Sequence, residues 1–471
     1  MGKNKKHGIL NSVLITDIAD EGLAVGRHNN MVVFVKNAVP GDVVDVQVRR
    51  AKSSFYEGVA VHVVKASEYR DTPFCKHFGV CGGCKWQHLR YAVQLQFKQQ
   101  QIINQLTRIG GLELPEAEPI MASDNDRYYR NKLEYTFSDR RWFEPHEPML
   151  EAGDPLANGV GFHIPGLFDK IVDIKECFLQ DDTGNRIRNF IRTYALHNKL
   201  SFYNIRMQQG YLRNLILRNN LNGEFMLVLC VAEDRDDDTR LLLECIQKEF
   251  PEVTSLHYAL NTTKNDSLHH TEVTHFSGAT VLYEQLGELR FAISPKSFFQ
   301  TNTVQANRMY NKILEFSGAK SGDTIYDLYT GTGTIALFLA ASCKKVIGIE
   351  YIEEAIRDAR TNAGLNKIEN THFVAGDMKD VLNNSFIDTW GKPDIIVTDP
   401  PRAGMHPGVV ETILKLDASR IVYVSCNAAT QARDMQMLHH RYKIEKIQAI
   451  DMFPHTHHVE NIALLIRRTT G

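Results

Sequence analysis

No apolar run in this chain reaches the roughly 18 residues that a membrane-crossing segment requires. An excess of one charge is lacking too: 54 Lys+Arg stand against 56 Asp+Glu, a formal net charge of −2 over 471 residues. A global field is thereby excluded as the means of holding a polyanion, and any nucleic acid must be gripped by local basic patches. The opening "MGKNKKHGILNS" is basic, but no apolar stretch of signal-peptide type follows it, so no membrane association is expected and the protein is expected in the cytoplasm. In that reducing compartment the eight cysteines are not expected to form disulfides, which leaves metal binding, catalysis or packing. What the chain does have is 43% hydrophobic residues, ample for cores in about three domains.

Residues 12–67 alternate apolar and polar positions in short runs, "VLITDIA", "MVVFVKNAV", "GDVVDVQVRR" and "GVAVHVV", separated by Gly, Asn and Pro-Gly turns. This spacing predicts a small OB-like β-barrel of about five strands. Arg49, Arg50 and Lys52 stand beside Phe55 and Tyr56, a pairing of cations and aromatics that suits nucleic acid and equally describes a solvated strand end. A helix is predicted across "YAVQLQFKQQQIINQLTRI", stopped by Gly110-Gly111. Residues 120–295 read as mostly strand, a mixed and mainly antiparallel middle domain. From about residue 300 apolar strands alternate with helical stretches, "TIYDLYTG", "KKVIGIE", "THFVAGD", "DIIVTDPP" and "RIVYVSC", which marks a doubly wound parallel sheet. The fold class is therefore α/β, with domains expected over 1–70, 71–299 and 300–471.

Three stretches carry chemistry. In "CKHFGVCGGCKW" Cys75, Cys81 and Cys84 are spaced C-x5-C-x2-C, which points to metal; zinc and an iron–sulfur cluster both remain open, and Cys177 in "IVDIKECFLQ" is the natural fourth ligand. In "DLYTGTGTIALFLA" a strand runs into G-x-G-x-x-A and a helix, with Glu350 closing the next strand; this suits an adenosine-containing cofactor, and NAD and S-adenosylmethionine both fit. The later strands deliver Asp399 in "TDPPRAGMHP", Cys426 in "IVYVSCNAATQARDM" and Glu460 in "FPHTHHVE". A thiol and a carboxylate at neighbouring strand ends beside an adenosine pocket propose nucleophilic catalysis with a general base. An NAD-dependent oxidoreductase would share the glycine turn, and a non-enzymatic RNA-binding protein would share the barrel.

Taken in order, "SPKSFFQTN", "DLYTGTGT", "TDPPRAGM", "SCNAATQARD" and "FPHTHHVE" resemble the signature of the RNA uracil-5-methyltransferases that use S-adenosylmethionine. With the barrel and the cysteine loop upstream, nearly the whole chain resembles the bacterial 23S ribosomal RNA branch of that family. The resemblance implies an N-terminal TRAM domain, a four-iron four-sulfur cluster on Cys75, Cys81, Cys84 and Cys177, and a Rossmann-like methyltransferase domain at the C-terminus. It implies further that Cys426 is the nucleophile and Glu460 the base, and that Gln300, Tyr329, Thr334, Glu350, Asp377 and Asp399 contact cofactor or target base. RNA, ribosomal RNA above all, is the implied partner of a monomer; a transfer RNA uridine methyltransferase is the nearest alternative. Thr334 stands where relatives often have Asn, Ala428 where Pro is common and Gln431 where Leu is. Because a stacked base hides the carbons to be attacked, the uridine must be splayed out; Phe298 and Phe299 suit stacking on it and equally describe core at a strand end.

Overall fold

Alternating valines close the first segment of the chain into a barrel. The computed structural model describes residues 8–19, 21–144, 147–148, 150, 154–268 and 271–469; the basic start, residues 1–7, lies outside them. Strands β1 (Ile9–Ile18), β2 (Ala24–His28), β3 (Met31–Lys36), β4 (Val43–Ala51) and β5 (Phe55–Lys65) form a closed barrel in the order β1-β2-β3-β5-β4. Val13, Ile15, Val33, Val35, Val44 and Val46 fill it. Strand β2 falls between the apolar runs of the sequence and crosses β1 so closely at Gly26 that a Cβ there would stand 2.5 Å from the Leu14 carbonyl oxygen. At the end of β4 the Lys52 ammonium lies 5.4 Å over the Phe55 ring, whereas Arg50 is tied to Glu57 at 3.2 Å.

Helix α1 (Tyr91–Arg108) buries Val93, Gln94, Lys98, Ile102, Gln105 and Leu106, a stripe at helical spacing with polar residues in it. Ile102 and Leu106 pack into the core of the C-terminal sheet rather than onto the barrel. Strand β6 (Glu118–Met121) then pairs with that same sheet.

The middle of the chain is a seven-stranded sheet of β7 (Lys132–Ser138), β8 (Gly159–Ile164), β9 (Leu167–Asp173), β10 (Leu212–Asn219), β11 (Phe225–Val231), β12 (Val253–Leu260) and β13 (Val273–Gly278). Its order is β13-β12-β11-β10-β7-β8-β9, antiparallel except for β11 and β12. A parallel pair needs a crossover, and α3 (Asp236–Glu249) supplies it. Together with α2 (Asp182–His197) it packs on β10 and β11, both of which are buried along almost their whole length. The strand-rich expectation for this segment thus holds for the sheet and omits two helices.

A hairpin of β14 (Leu282–Leu286) and β15 (Leu289–Ile293) leads into the C-terminal domain. There α4 (Thr303–Ser317), β16 (Thr324–Leu328), α5 (Thr334–Ala340), β17 (Lys345–Glu350), α6 (Glu353–Leu365), β18 (Thr371–Ala375), α7 (Met378–Val381), α8 (Asn384–Trp390), β19 (Ile395–Thr398), α9 (Pro407–Leu416), β20 (Arg420–Ser425), α10 (Ala428–Leu438), β21 (Tyr442–Ile450) and β22 (Glu460–Arg467) alternate as expected. The sheet order is β18-β17-β16-β19-β20-β22-β21-β6, with β16 to β20 parallel and β22 inserted antiparallel between β20 and β21. Strand order reverses between β16 and β19, where open α/β sheets bind ligands. Among the described residues no helix is long and apolar enough to cross a membrane.

An ion pair joins α1 to this domain. Lys98 Nζ donates to Asp451 Oδ1 at 2.6 Å and to the Phe453 carbonyl at 3.0 Å, and both charged side chains are fully buried. Burial pulls the Lys98 pKa down, and Asp451 opposes that pull. Removing one partner of such a pair leaves an uncompensated charge inside. Lys98→Met should therefore lower the unfolding free energy by about 3–5 kcal/mol, measured by urea denaturation; a loss below about 1 kcal/mol would show that Asp451 finds another partner.

Candidate active site

Three neighbouring strands end at one place. Asp399 follows β19, Cys426 follows β20, and Glu460 opens β22. Strands β19 and β20 run parallel with Thr398 beside Tyr423, and β20 and β22 run antiparallel with Ser425 opposite Asn461. That last register brings Cys426 and Glu460 to the same edge from opposite chain directions. Gln431 of α10 fixes it, donating to the carbonyls of Tyr423 and Asn461 while accepting from Asn461 Nδ2 at 2.8 Å. Asn427 caps α10 by accepting from the Ala429 amide, so the thiol sits on a turn between a buried strand and a capped helix.

The surroundings of these groups are poor in compensating charge. Burial pushes the Glu460 carboxyl up to about 8, with the Asp399 charge adding to the shift and Arg402 opposing it. Asp399 is pushed up to about 7 by burial. The Cys426 thiol rises to about 11, through burial first and then Glu460 and Asp399, again opposed by Arg402. Arg402 is thus the cation of the site. It lies inside the "DPPRAG" turn, three residues past the strand-end Asp399, a position that was a visible signal in the sequence. Its backbone carbonyl accepts from Asn427 Nδ2 and Thr430 Oγ1, and its Nη2 stands 2.6 Å from His458 Nδ1. Burial and Arg402 push His458 down to about 4, so it is neutral and receives the Arg402 proton donor.

The glycine turn lies beyond β16. Tyr329, Gly331 and Gly333 all have positive φ, at 63°, 55° and 80°. A Cβ at Gly333 would stand 2.9 Å from Phe373 and 3.0 Å from Ala359, so the turn must pack tightly there, whereas a Cβ at Gly331 would meet nothing within 4 Å and faces open space. Glu350 reaches back to this turn, accepting from the Gly331 amide at 3.2 Å and the Ile352 amide at 3.0 Å. Thr334 begins α5 and lowers the Tyr310 hydroxyl pKa by hydrogen bonding, against the larger upward push of burial. Asp377 caps α7 and pairs with Lys379 at 3.1 Å; its charge and that of Glu350 both act on Tyr329. Asp327, which the sequence reading did not single out, is fully buried beneath the turn, accepts from Thr330 Oγ1, and is pushed up to about 7 by burial.

The "SPKSFFQTN" segment crosses the same opening. Asn131 Nδ2 donates to the Gln300 carbonyl at 2.9 Å, Arg218 Nη2 to the Ser297 carbonyl at 3.2 Å, and Thr332 Oγ1 to the Phe298 carbonyl at 3.4 Å. Phe298 is 69% exposed, but Phe299 is buried in the core beside Phe291, so the expectation that both stack on a substrate holds open only for Phe298. Elsewhere, Cys75, Cys81, Cys84 and Cys177 line one cavity of about 390 Å³, its open part included, with Phe78, Phe162 and Leu179. Burial drives Cys81 and Cys84 up to about 12, each raised further by the neighbouring cysteines. No group of three or more His, Cys, Asp or Glu among the described residues is arranged to hold a single metal ion.

A glycine turn, the Glu350 carboxylate, a thiol and a buried acid lie along the switch point of an open α/β sheet, the place where such sheets bind nucleotide ligands. The family model described as tRNA (uracil-5-)-methyltransferase matches residues 281–468, and the TRAM domain model matches residues 5–61. The chain is 51% identical to a protein of Bacteroides thetaiotaomicron named an uncharacterized RNA methyltransferase, over 95% of this chain and 99% of that one. A similarly named protein of Porphyromonas gingivalis is 49% identical over 97% and 99%. Among solved structures, the Pyrococcus abyssi tRNA (uracil-54, C5)-methyltransferase in complex with S-adenosyl-L-homocysteine is 30% identical, covers 97% of this chain and 100% of its own, and superposes with a TM-score of 0.75. The chain belongs to the TRAM-containing RNA (uracil-5-)-methyltransferase family, and the oxidoreductase and non-enzymatic alternatives fall away.

The electrostatics make the thiol testable by itself. Since the Glu460 charge raises the Cys426 pKa, Glu460→Gln should speed alkylation of Cys426 by iodoacetamide at pH 9 several-fold, and Arg402→Ala should slow it. Mass spectrometry of the peptide containing Cys426 reads the rate; equal rates in wild type and Glu460→Gln would show that the two groups do not interact.

Proposed function

We propose that this protein methylates carbon 5 of a uridine in RNA through a covalent adduct with Cys426, and that its substrate is 23S ribosomal RNA. The observation that carries this reading is the meeting of Cys426, Asp399 and Glu460 at adjacent strand ends next to the glycine turn. Carbon 5 of uracil is a weak nucleophile. Addition of the Cys426 thiolate to carbon 6 moves the ring's double-bond electrons toward the carbonyl at carbon 4 and makes carbon 5 an enolate carbon. Bound S-adenosylmethionine supplies an electrophilic methyl for that carbon. Glu460 then takes the proton from carbon 5, the electron pair re-forms the ring double bond, and the thiolate leaves carbon 6. A base with its pKa near 8 suits that proton transfer at neutral pH. Arg402 offsets the cost of forming the thiolate, and Asp399 can hydrogen-bond the uracil edge.

The residues around the turn fit the cofactor. Open space at Gly331 admits a backbone approach, Glu350 keeps lone pairs for two ribose hydroxyls, and Gln300, Tyr329, Thr334 and Asp377 would supply further contacts. Phe298, exposed at its edge, offers a face on which a splayed base can stack. In this reading the barrel, residues 1–70, contributes RNA affinity and residues 300–471 the chemistry. The second reading is a transfer RNA substrate. It is favoured by the Pyrococcus abyssi tRNA (uracil-54, C5)-methyltransferase, whose likeness takes in 97% of this chain.

The four cysteines fit an iron–sulfur cluster. They are soft donors spread around a cavity with apolar walls, and metal binding would relieve the cost that burial places on their thiolate forms. Cys75, Cys81, Cys84 and Cys177 would hold it, and it would tie the loop to the middle sheet.

Two measurements test these assignments. Each variant is incubated with radiolabelled S-adenosylmethionine and either 23S ribosomal RNA or transfer RNA. Cys426→Ala should give no adduct; Glu460→Gln should add and methylate, then stall as a methylated protein–RNA complex that survives denaturing electrophoresis with one of the two RNAs only. Free product at the wild-type rate from Glu460→Gln removes Glu460 as the base, and trapping of transfer RNA alone replaces the ribosomal substrate. Separately, anaerobically purified protein should be brown and contain iron that Cys177→Ala loses; stoichiometric zinc without iron overturns the cluster.

A further inference from the structure

The segment that carries Glu460 is held from outside its own domain. Between β21 and β22 the chain makes a nine-residue excursion, residues 451–459, and its fixed point is His455. His455 has φ +63°, a left-handed conformation that a non-glycine residue keeps only where its surroundings over-determine it. Those surroundings come from the N-terminal part of the chain. The amides of Lys85 and Trp86, directly after Cys84, donate to the His455 carbonyl at 2.8 and 3.0 Å. Gln94 of α1 accepts from the His455 amide at 2.9 Å, while its own amide nitrogen donates to the Trp86 carbonyl at 3.0 Å and lies 3.2 Å from His455 Nδ1. Tyr129, from the strand-free link into the middle sheet, donates its hydroxyl to the Pro454 carbonyl at 2.9 Å. Gln94 and Tyr129 are both buried.

We propose that Gln94 and Tyr129 are positioning residues for the proton-abstraction step: they fix the 451–459 excursion, and with it the carboxylate of Glu460, without touching substrate or cofactor. The inference rests on the reading of Glu460 as the base. Cys426 and the cofactor turn are supported by β20, α10 and β16, none of which Gln94 or Tyr129 bonds; the excursion reaches the thiol's surroundings only through His458, 2.6 Å from Arg402, and Arg402 stays tied to Asn427 and Thr430 through its carbonyl, so loosening the excursion falls mainly on Glu460. Addition to carbon 6 and methylation of carbon 5 continue. What slows is removal of the carbon 5 proton, and the bond from sulfur to carbon 6 cannot break until that proton has left.

A weakened clamp should therefore imitate Glu460→Gln in part, an outcome that a general loss of stability does not produce. Gln94→Leu, close in volume and unable to hydrogen-bond, is incubated with radiolabelled S-adenosylmethionine and the RNA that Glu460→Gln traps. Denaturation-resistant methylated adduct should stand at least fivefold above wild type, free product should form more slowly by a similar factor, and affinity for S-adenosylmethionine should stay within twofold. Tyr129→Phe, which deletes a single hydroxyl, should show the same pattern more weakly and decides the matter if Gln94→Leu no longer binds S-adenosylmethionine. Slower turnover in both variants with adduct at the wild-type level overturns the inference. Failure of Glu460→Gln to trap any RNA overturns instead the base assignment on which it rests.

Discussion

The meeting of Asp399, Cys426 and Glu460 depends on one antiparallel register. Strand β22 lies between β20 and β21 and runs against β20, with Ser425 facing Asn461. In an all-parallel sheet successive strand ends reach the ligand edge with their C-terminal residues, so all the chemistry comes from the loops that follow strands. Reversing β22 lets a residue that precedes a strand meet one that follows a strand. A shift of one residue would turn both inward-facing and outward-facing sets over, and the buried Gln431, bonded to both strands, holds against such a slip.

The second constraint is dielectric. Asp327, Asp399 and Glu460 are all pushed toward the neutral form by burial, and Arg402 is the nearby cation that acts on the thiol and on Glu460. A positive charge brought beside any of these acids would favour its ionised form. Burial, reinforced by Glu460 and Asp399, pushes the Cys426 thiol toward its protonated form, and Arg402 opposes that push.

How much of this was written in the sequence follows from how local each feature is. The barrel, the glycine turn and the strand ends at Asp399, Cys426 and Glu460 depend on short-range patterns, alternating valines, paired glycines and apolar runs that stop abruptly, and they were legible. Strand β2, five residues with a glycine in the middle, has too few apolar positions to register. Helices α2 and α3 lie within a segment dominated by β-branched runs that drew attention to strands. Gln431 and Gln94 were illegible in a different way: a buried glutamine is indistinguishable from an exposed one until its partners, which come from distant parts of the chain, are known. Phe299 next to Phe298 shows the same limit, because both lie in the loop between β15 and α4, where no periodicity tells them apart, and only the fold says which one meets solvent.

Strand β6 has a consequence in time. It pairs with β21 at the edge of the catalytic sheet, and α1 packs against the same sheet, yet about 320 residues separate Met121 from Tyr442. At synthesis rates of roughly 5–20 residues per second the earlier segment emerges on the order of a quarter-minute to a minute before its partner. During that interval α1 exposes Ile102 and Leu106 together with the unpaired Lys98, while the barrel and the middle sheet can already close around their own cores. The nascent chain therefore carries α1 with an uncovered apolar face until β21 and β22 arrive, and a chain halted before β21 leaves α1 and β6 without their partner. Such a chain is a natural client for a chaperone that binds short amphipathic segments.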